Sequence, residues 1–537
     1  MGGAVAHAVH RVSPLALVGL LPLVFLGLFF AWPVASIVGL GLTSTSRPGS
    51  AVLDVLTDSE TLRLVGFTLG QAAAATVIAV LAGMPLAFVL ARCKLPGIGL
   101  LRVAVVVPFV LPTVVVGLAF RVLMPAGGVA PIVLANAFFN IAVVARTVGG
   151  LWAHTDRRGE EAARALGASR WRAFVSVVLP AIAPAILSAA AVAFLFCATS
   201  FGVVLMLGGG QYRTLETEIY LRTVELFDLP GAAALSMLQV TTVVAVLIIG
   251  AVTRRRKETA LGMRRHREIA RRPVGGEWVV VGVASAVVVA LTVPVVSLVA
   301  RSLSNGFAGY VALAGHGDQA TLQVSGLDAV WNSVRAASDA TVLAMLLGVL
   351  SAVVLSQLSR SGALIGEVFD LALMLPLGVS AVTLGFGYLV ALGSLPLDLR
   401  ASPLLVPFAQ ALVITPLVVR TVLPVLRAVD ERLRQAAGTL GAGRLRVWRE
   451  IDLGLAGRAL VAAAGFGYVV ALGEFGATSF LARPDAPTLP VVIATLIARP
   501  GELNNDMAYA ACVVLMLVTV AAVAAIEGFR ASSVGEF

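Results

Sequence analysis

Few residues of this 537-residue chain have types and spacings that could do chemistry. The five histidines, His7, His10, His154, His266 and His316, stand in tails or loops and form neither a metal-ligand nor a catalytic spacing. Cys93, Cys197 and Cys512 are scattered with no CxxC pair, so they read as small apolar packers rather than a disulfide framework or a zinc site. A phosphate-binding loop needs Gly-Lys followed by Ser or Thr, but the two lysines, Lys94 and Lys257, follow Cys93 and Arg256. No catalytic residue, metal site or bound cofactor is therefore expected in the chain itself. Two constellations remain. Glu474 lies inside an apolar run, where burying its charge is costly, so pathway lining or gating competes with a hydrogen-bonded interhelical contact. The other is a basic stretch, Glu161-Ala162-Ala163, Gly167, Arg170, Val177 and Leu179-Pro180, which returns as Gln435-Ala436-Ala437, Gly441, Arg444, Ile451 and Leu453.

The elements that must position these groups follow from composition. With 59% hydrophobic and 13% charged residues the chain departs from soluble domains, which hold about 45–50% apolar and about 25% charged residues. It reads as an all-α polytopic membrane protein. A helix needs roughly 20 apolar residues to span a bilayer, and such runs occur at 15–40, 65–90, 103–123, 131–152, 181–207 and 232–252, then at 279–299, 340–358, 368–392, 404–426, 460–481 and 507–526. That is about twelve transmembrane helices. Between the sets lies a basic linker, 253–276. The first run follows His7, His10 and Arg11 without a small-x-small cleavage site, and is expected to be an uncleaved anchor. Pro108, Pro112 and Pro376 break the third and ninth spans and are candidate gate hinges, with Glu474 the candidate pathway acid.

The two sets are repeats. Arg146-Thr147-Val148 returns as Arg420-Thr421-Val422, Leu166-Gly167-Ala168 as Leu440-Gly441-Ala442 and Phe201-Gly202 as Phe475-Gly476, all at one offset of 274. Upstream, Ala75-Thr76-Val77 matches Ala340-Thr341-Val342 at 265. Six spans per repeat make the two halves parallel, with a pathway between them. The expected organisation is a first half, 1–252, with a loop at 154–180, and a second half, 277–537, with a loop at 428–454. The net charge of +10 comes from arginines clustered in short loops, the positive-inside pattern, and not from a nucleic-acid-binding face. It places both loops and both termini on the cytoplasmic side. In each loop, good helix formers run up to a glycine able to take the left-handed turn that ends a helix, and Pro180 is expected to open the next span. A single copy reads equally well as an ordinary basic loop; two copies favour a docking element used twice.

Glu161-Ala162-Ala163, three residues, Gly167, nine residues, Val177, one residue and Leu179-Pro180 resembles the cytoplasmic signature of permease subunits of type I binding-protein-dependent ABC importers. The second copy departs from it at Gln435 and Gly454. The resemblance covers essentially the whole chain, and fused two-half permeases of this length are similar to the ferric-iron and thiamine group. Cys197 to Gly210, with Thr214-Leu215-Glu216 and Ile219-Tyr220, looks like the thiamine branch; Gly473 to Thr478 looks like the ferric-iron branch. The resemblance implies that each loop forms a coupling helix docked on an ATPase. Residues Glu161, Ala162, Ala163, Gly167, Arg170, Pro180, Gln435, Ala436, Ala437, Gly441 and Arg444 would carry that contact. It also implies two ATP-binding cassette subunits that bind ATP and Mg, an extracytoplasmic solute-binding protein, a place among lipids of the cytoplasmic (inner) membrane, and iron or thiamine as cargo. A major facilitator carrier would also show twelve helices in two halves, but its loop after the second span usually carries an Asp-Arg motif rich in glycine. Arg92-Cys93-Lys94-Leu95-Pro96-Gly97 does not match it.

Overall fold

The computed structural model describes residues 19–43, 55, 57–258, 270–315, 322–358, 364–393 and 402–532. His7, His10, His266, His316, the start of the first span and the middle of the basic linker lie outside these residues, as does the side chain of Arg444. Among the described residues, ten helices are long and apolar enough to cross a membrane, and two bent pairs raise this to twelve if each pair is one span. The bent pairs are the third and ninth expected spans. Ile98–Val110 meets Thr113–Leu123 at 101°, and Ile365–Gly378 meets Ala381–Gly393 at 96°. Pro112 sits at the first break as the N-cap, and the residue before it, Leu111, is extended at ψ 136°, as the proline ring demands of its predecessor. The linker begins later than expected: the helix Leu229–Glu258 runs on through Thr253 to Lys257 before the described chain stops.

The chain forms two compact units, one of 1–48 with 308–537 and one of 49–307. Each unit holds the first span of the other repeat. Helix Gly19–Thr43 packs in the unit built from the second repeat, where Phe29 meets Phe408 at 4.8 Å and Tyr388 Oη donates to Phe29 O at 2.7 Å. That carbonyl lies in a π turn, Gly27–Ala31. Helix Glu277–Ser302 packs in the unit built from the first repeat, against Ser59–Arg92 and Thr113–Leu123.

The repeat extends to single contacts. Ala72, Ala75, Ala79 and Gly83 form a buried small-residue stripe on Ser59–Arg92, and Ala337, Ala340, Ala344 and Gly348 form it again on Gly326–Leu358. Small residues let two backbones approach where lipid supplies no hydrophobic force between helices. A Cβ on Gly83 would lie 2.7 Å from Val144 Cγ1, and one on Gly348 would lie 2.6 Å from Val418 Cγ1, so the same helix crossing is built twice. The Thr68 hydroxyl accepts from Leu215 N at 3.1 Å, and Ser333 accepts from Leu489 N at 2.7 Å. Each hydroxyl satisfies an amide that a helix N-terminus leaves open.

Candidate functional site: the paired surface loops and the broken spans

The first surface helix is Arg158–Ala165 and the second is Glu431–Thr439. Both end in the same way. Gly167, at φ 89°, donates to Arg164 O and Ala168 donates to Ala163 O, both at 3.0 Å; Gly441, at φ 83°, donates to Gly438 O and Ala442 to Ala437 O, again both at 3.0 Å. This pair of bonds is the Schellman closure, which needs a left-handed residue and therefore favours glycine. Ala163 and Ala437 are half-buried, and Glu161, Ala162, Gln435 and Ala436 are exposed. One consequence of the closure was not read from the sequence. Leu166 and Leu440, the residues before the two glycines, are 89% and 88% exposed. Their match at the 274 offset, with a large apolar side chain at the head of a basic loop, was the available signal.

Beyond the glycine, the expected opening of the next span at Pro180 is not what forms. Ser169 caps Arg172 N, and the helix from Arg170 continues unbroken to Ala198, so the exposed Pro180 lies inside it. The helix passes through a π turn, Phe174–Val178, in which Leu179 N–H reaches Phe174 O. The second repeat has the matching π turn at Trp448–Asp452, although Gly454 stands where Pro180 does, so proline is not its cause.

The loops are fastened differently. In the first, buried Arg92 donates to Thr155 O at 2.7 Å and Arg157 returns a bond to Arg92 O at 3.2 Å. Arg170 donates to Val274 O at 3.2 Å, and Lys94 N donates to Arg271 O at 2.8 Å. In the second, Arg434 bonds Asp452 at 2.6 Å and Glu431 at 2.9 Å. Burial pulls the Arg434 guanidinium down, but the bonds and charges of those carboxylates outweigh it and hold it above its ordinary value.

At the other constellation, Glu474 is buried in the break between Trp448–Gly473 and the turn Thr478–Leu481. Its Oε1 accepts from Ala477 N at 2.8 Å, and its Oε2 accepts from Thr478 N at 3.1 Å and from the Thr478 hydroxyl. In the first repeat Ser200 occupies this position and donates to Asn136 Oδ1 at 2.7 Å. The carbonyls before the two breaks are served by different helices. Gln71 Nε2 reaches Cys197 O at 2.7 Å, whereas Gln410 Nε2 reaches Ala471 O at 3.1 Å. Gln410 aligns with Asn136, and Gln71 has no matching amide in the second repeat. Pro108 lies inside Ile98–Val110, and Pro376 lies in a single 3₁₀ turn, Leu375–Gly378, ahead of the second bend.

A family model described as the binding-protein-dependent transport system inner membrane component matches residues 79–258, which include the first loop. The sulfate transport system permease protein of Escherichia coli K12 is 32% identical over 202 residues, 34% of this chain and 73% of that protein. The chain belongs to this family of permeases. It is a fused permease, because the thiamine transport system permease proteins align along both halves. That of Escherichia coli K12 is 26% identical over 86% of this chain and 88% of its own length, and that of Brucella abortus strain 2308 is 25% identical over 83% and 84%. The permease is thus an inner-membrane, multi-pass subunit of an ABC importer, and the carrier of the major facilitator type is set aside.

Proposed function

We propose that this permease is the membrane subunit of a thiamine importer, driven by two separate ATP-binding cassette subunits and fed by an extracytoplasmic solute-binding protein. The observation that supports the cargo is alignment along both halves: the thiamine permeases match 83–88% of the chain, whereas the sulfate permeases, matched over 73–83% of their own length, reach 34–40% of it. In this reading both basic loops and both termini face the cytoplasm, and each loop presents its exposed leucine to one ATPase. ATP and Mg bind on those partners. Closure of the ATPases draws the loops together and shifts the bundles between access states, a change set by differential binding to those states. The bends at Pro112 and at Pro376 are the places where the gate moves, and Pro108 lets the first arm flex. Glu474 keeps the break of the second half in shape through its bonds to the amides of Ala477 and Thr478.

The test is uptake into proteoliposomes holding the permease, its ATPase and the neighbouring binding protein. Thiamine is expected to accumulate only with ATP and Mg, and thiamine-loaded binding protein to stimulate hydrolysis. Stimulation by a ferric-iron-loaded or sulfate-loaded receptor, with none by thiamine, would overturn the assignment of cargo.

A further inference from the structure

Beneath the first surface helix lies a cavity of about 580 Å³, inside the range of roughly 300–1,000 Å³ common for small-molecule sites. It is contained within one compact unit, between the ends of Ser59–Arg92 and Val129–Trp152 and the start of Glu277–Ser302. Its polarity runs in one direction. The end toward the surface helix holds five arginines against three glutamates. Among the described residues, the ion pair in this lining is Arg271 with Glu277, at 2.6 Å. Arg157 and Arg170 give their side-chain hydrogen bonds to main-chain carbonyls, and among the described residues the Arg164 side chain makes no hydrogen bond or ion pair. The other end is apolar, lined by Leu81, Met84, Pro85 and Val280.

The length of the slot is informative. Leu81 stands eleven residues before Arg92 on one helix, about 16 Å along the axis at about 1.5 Å per residue. That is close to half of a hydrocarbon core of roughly 30 Å. Leu81 and Val77 are 69% and 57% exposed, so the apolar end merges with the exposed apolar face of the span. The second loop does not repeat this set of arginines. Gly438 and Glu431 stand there in place of Arg164 and Arg157, and Arg434 is held by Asp452 and Glu431.

We propose that this slot binds an anionic phospholipid, with its phosphate among Arg157, Arg164 and Arg170 and an acyl chain against Leu81, Met84 and Val280. Free phosphate would use one end only, and a neutral lipid would leave the arginine excess unanswered. A lipid seated there joins the first surface helix to the start of Glu277–Ser302, so the ease with which that loop moves depends on the charge of the leaflet. The site does not depend on what the loop docks against.

The experiment is native mass spectrometry of the full chain in detergent, with added phosphatidylglycerol, phosphatidylcholine or glycerol 3-phosphate. Phosphatidylglycerol is expected to be retained in preference to phosphatidylcholine. Arg157→Gln with Arg164→Gln is expected to weaken its retention about fivefold for each arginine removed, the increment for a basic residue at an anionic surface. Arg432→Gln with Arg446→Gln in the second loop is expected to leave it unchanged. Equal retention of phosphatidylcholine, indifference to the first-loop pair, or displacement by equimolar glycerol 3-phosphate would each overturn the proposal. Wild-type protein supplies an arm that needs no variant: phosphatidylglycerol with a photoreactive acyl chain is expected to label residues 77–88, and labelling confined to other segments refutes the site.

Discussion

Cys93 follows the last residue of the helix Ser59–Arg92 and pairs with Arg271 in an isolated bridge. Burial raises its thiol to about 11, Glu277 adds to the rise, and Arg271 and Arg157 oppose it. The thiolate is the reactive form, so at neutral pH this cysteine is held in its unreactive state. Maleimide labelling of Cys93 is therefore expected to be slow at pH 7 and to climb with pH, with no plateau before about 11; a plateau near pH 8.5 would mean an ordinary exposed thiol. Glu474 shows how far single residues could be read in advance. Its apolar surroundings marked it as unusual in the sequence, but the bonds that hold it come from the chain just beyond the break. The exchange of amides at Gln71 and Gln410 was not legible at all. A side-chain amide satisfies the carbonyl before each break, but it arrives from a different helix in each half.

Secondary structure was more legible, because hydropathy and punctuation are local. The twelve apolar runs, the breaks in the third and ninth, and the left-handed glycines at 167 and 441 all followed from residues within a few positions of one another. Helix ends did not. Ser59–Arg92 starts six residues before the expected span and Gly326–Leu358 starts fourteen before. Their first turns are polar and capped, as where Asp58 accepts from Glu60 N, so hydropathy alone could not find them. The duplicated crossing of these helices gives a sharp expectation. Replacing Gly83 or Gly348 by Leu places side-chain atoms inside Val144 or Val418. Overpacking of this kind costs about 1–3 kcal/mol. A lowered thermal midpoint of the detergent-solubilised permease is expected for both variants, and an unchanged midpoint in either would contradict the close approach.

For the whole molecule, the two exposed leucines turn the repeat into a count. Full burial of one leucine is worth about 1.5–3 kcal/mol, enough to decide whether a partner stays bound. Leu166 and Leu440 are almost fully exposed, so Leu166→Glu and Leu440→Glu should each leave the permease's own stability within about 0.5 kcal/mol. Each is expected to lower the ATPase retained on co-purification from two copies to one, and the double variant to retain none. Two copies retained by both single variants would separate the leucines from the docking that we propose.

The sequence by itself determined the membrane class, the helical architecture, the internal repeat and the signature of the first loop. Composition, periodicity and spacing are properties of the chain taken a few residues at a time, and bilayer physics leaves little freedom in what they can form. Only the tertiary structure decided that each compact unit takes up the first span of the other repeat, that Arg170 begins a helix running past Pro180, and that the first loop covers an amphipathic slot while the second closes on Asp452. Those outcomes depend on which backbones come close enough to share hydrogen bonds and volume. The groups involved, such as Arg92 with Arg271 or Arg434 with Asp452, are brought together by the packing of helices and not by their order in the chain.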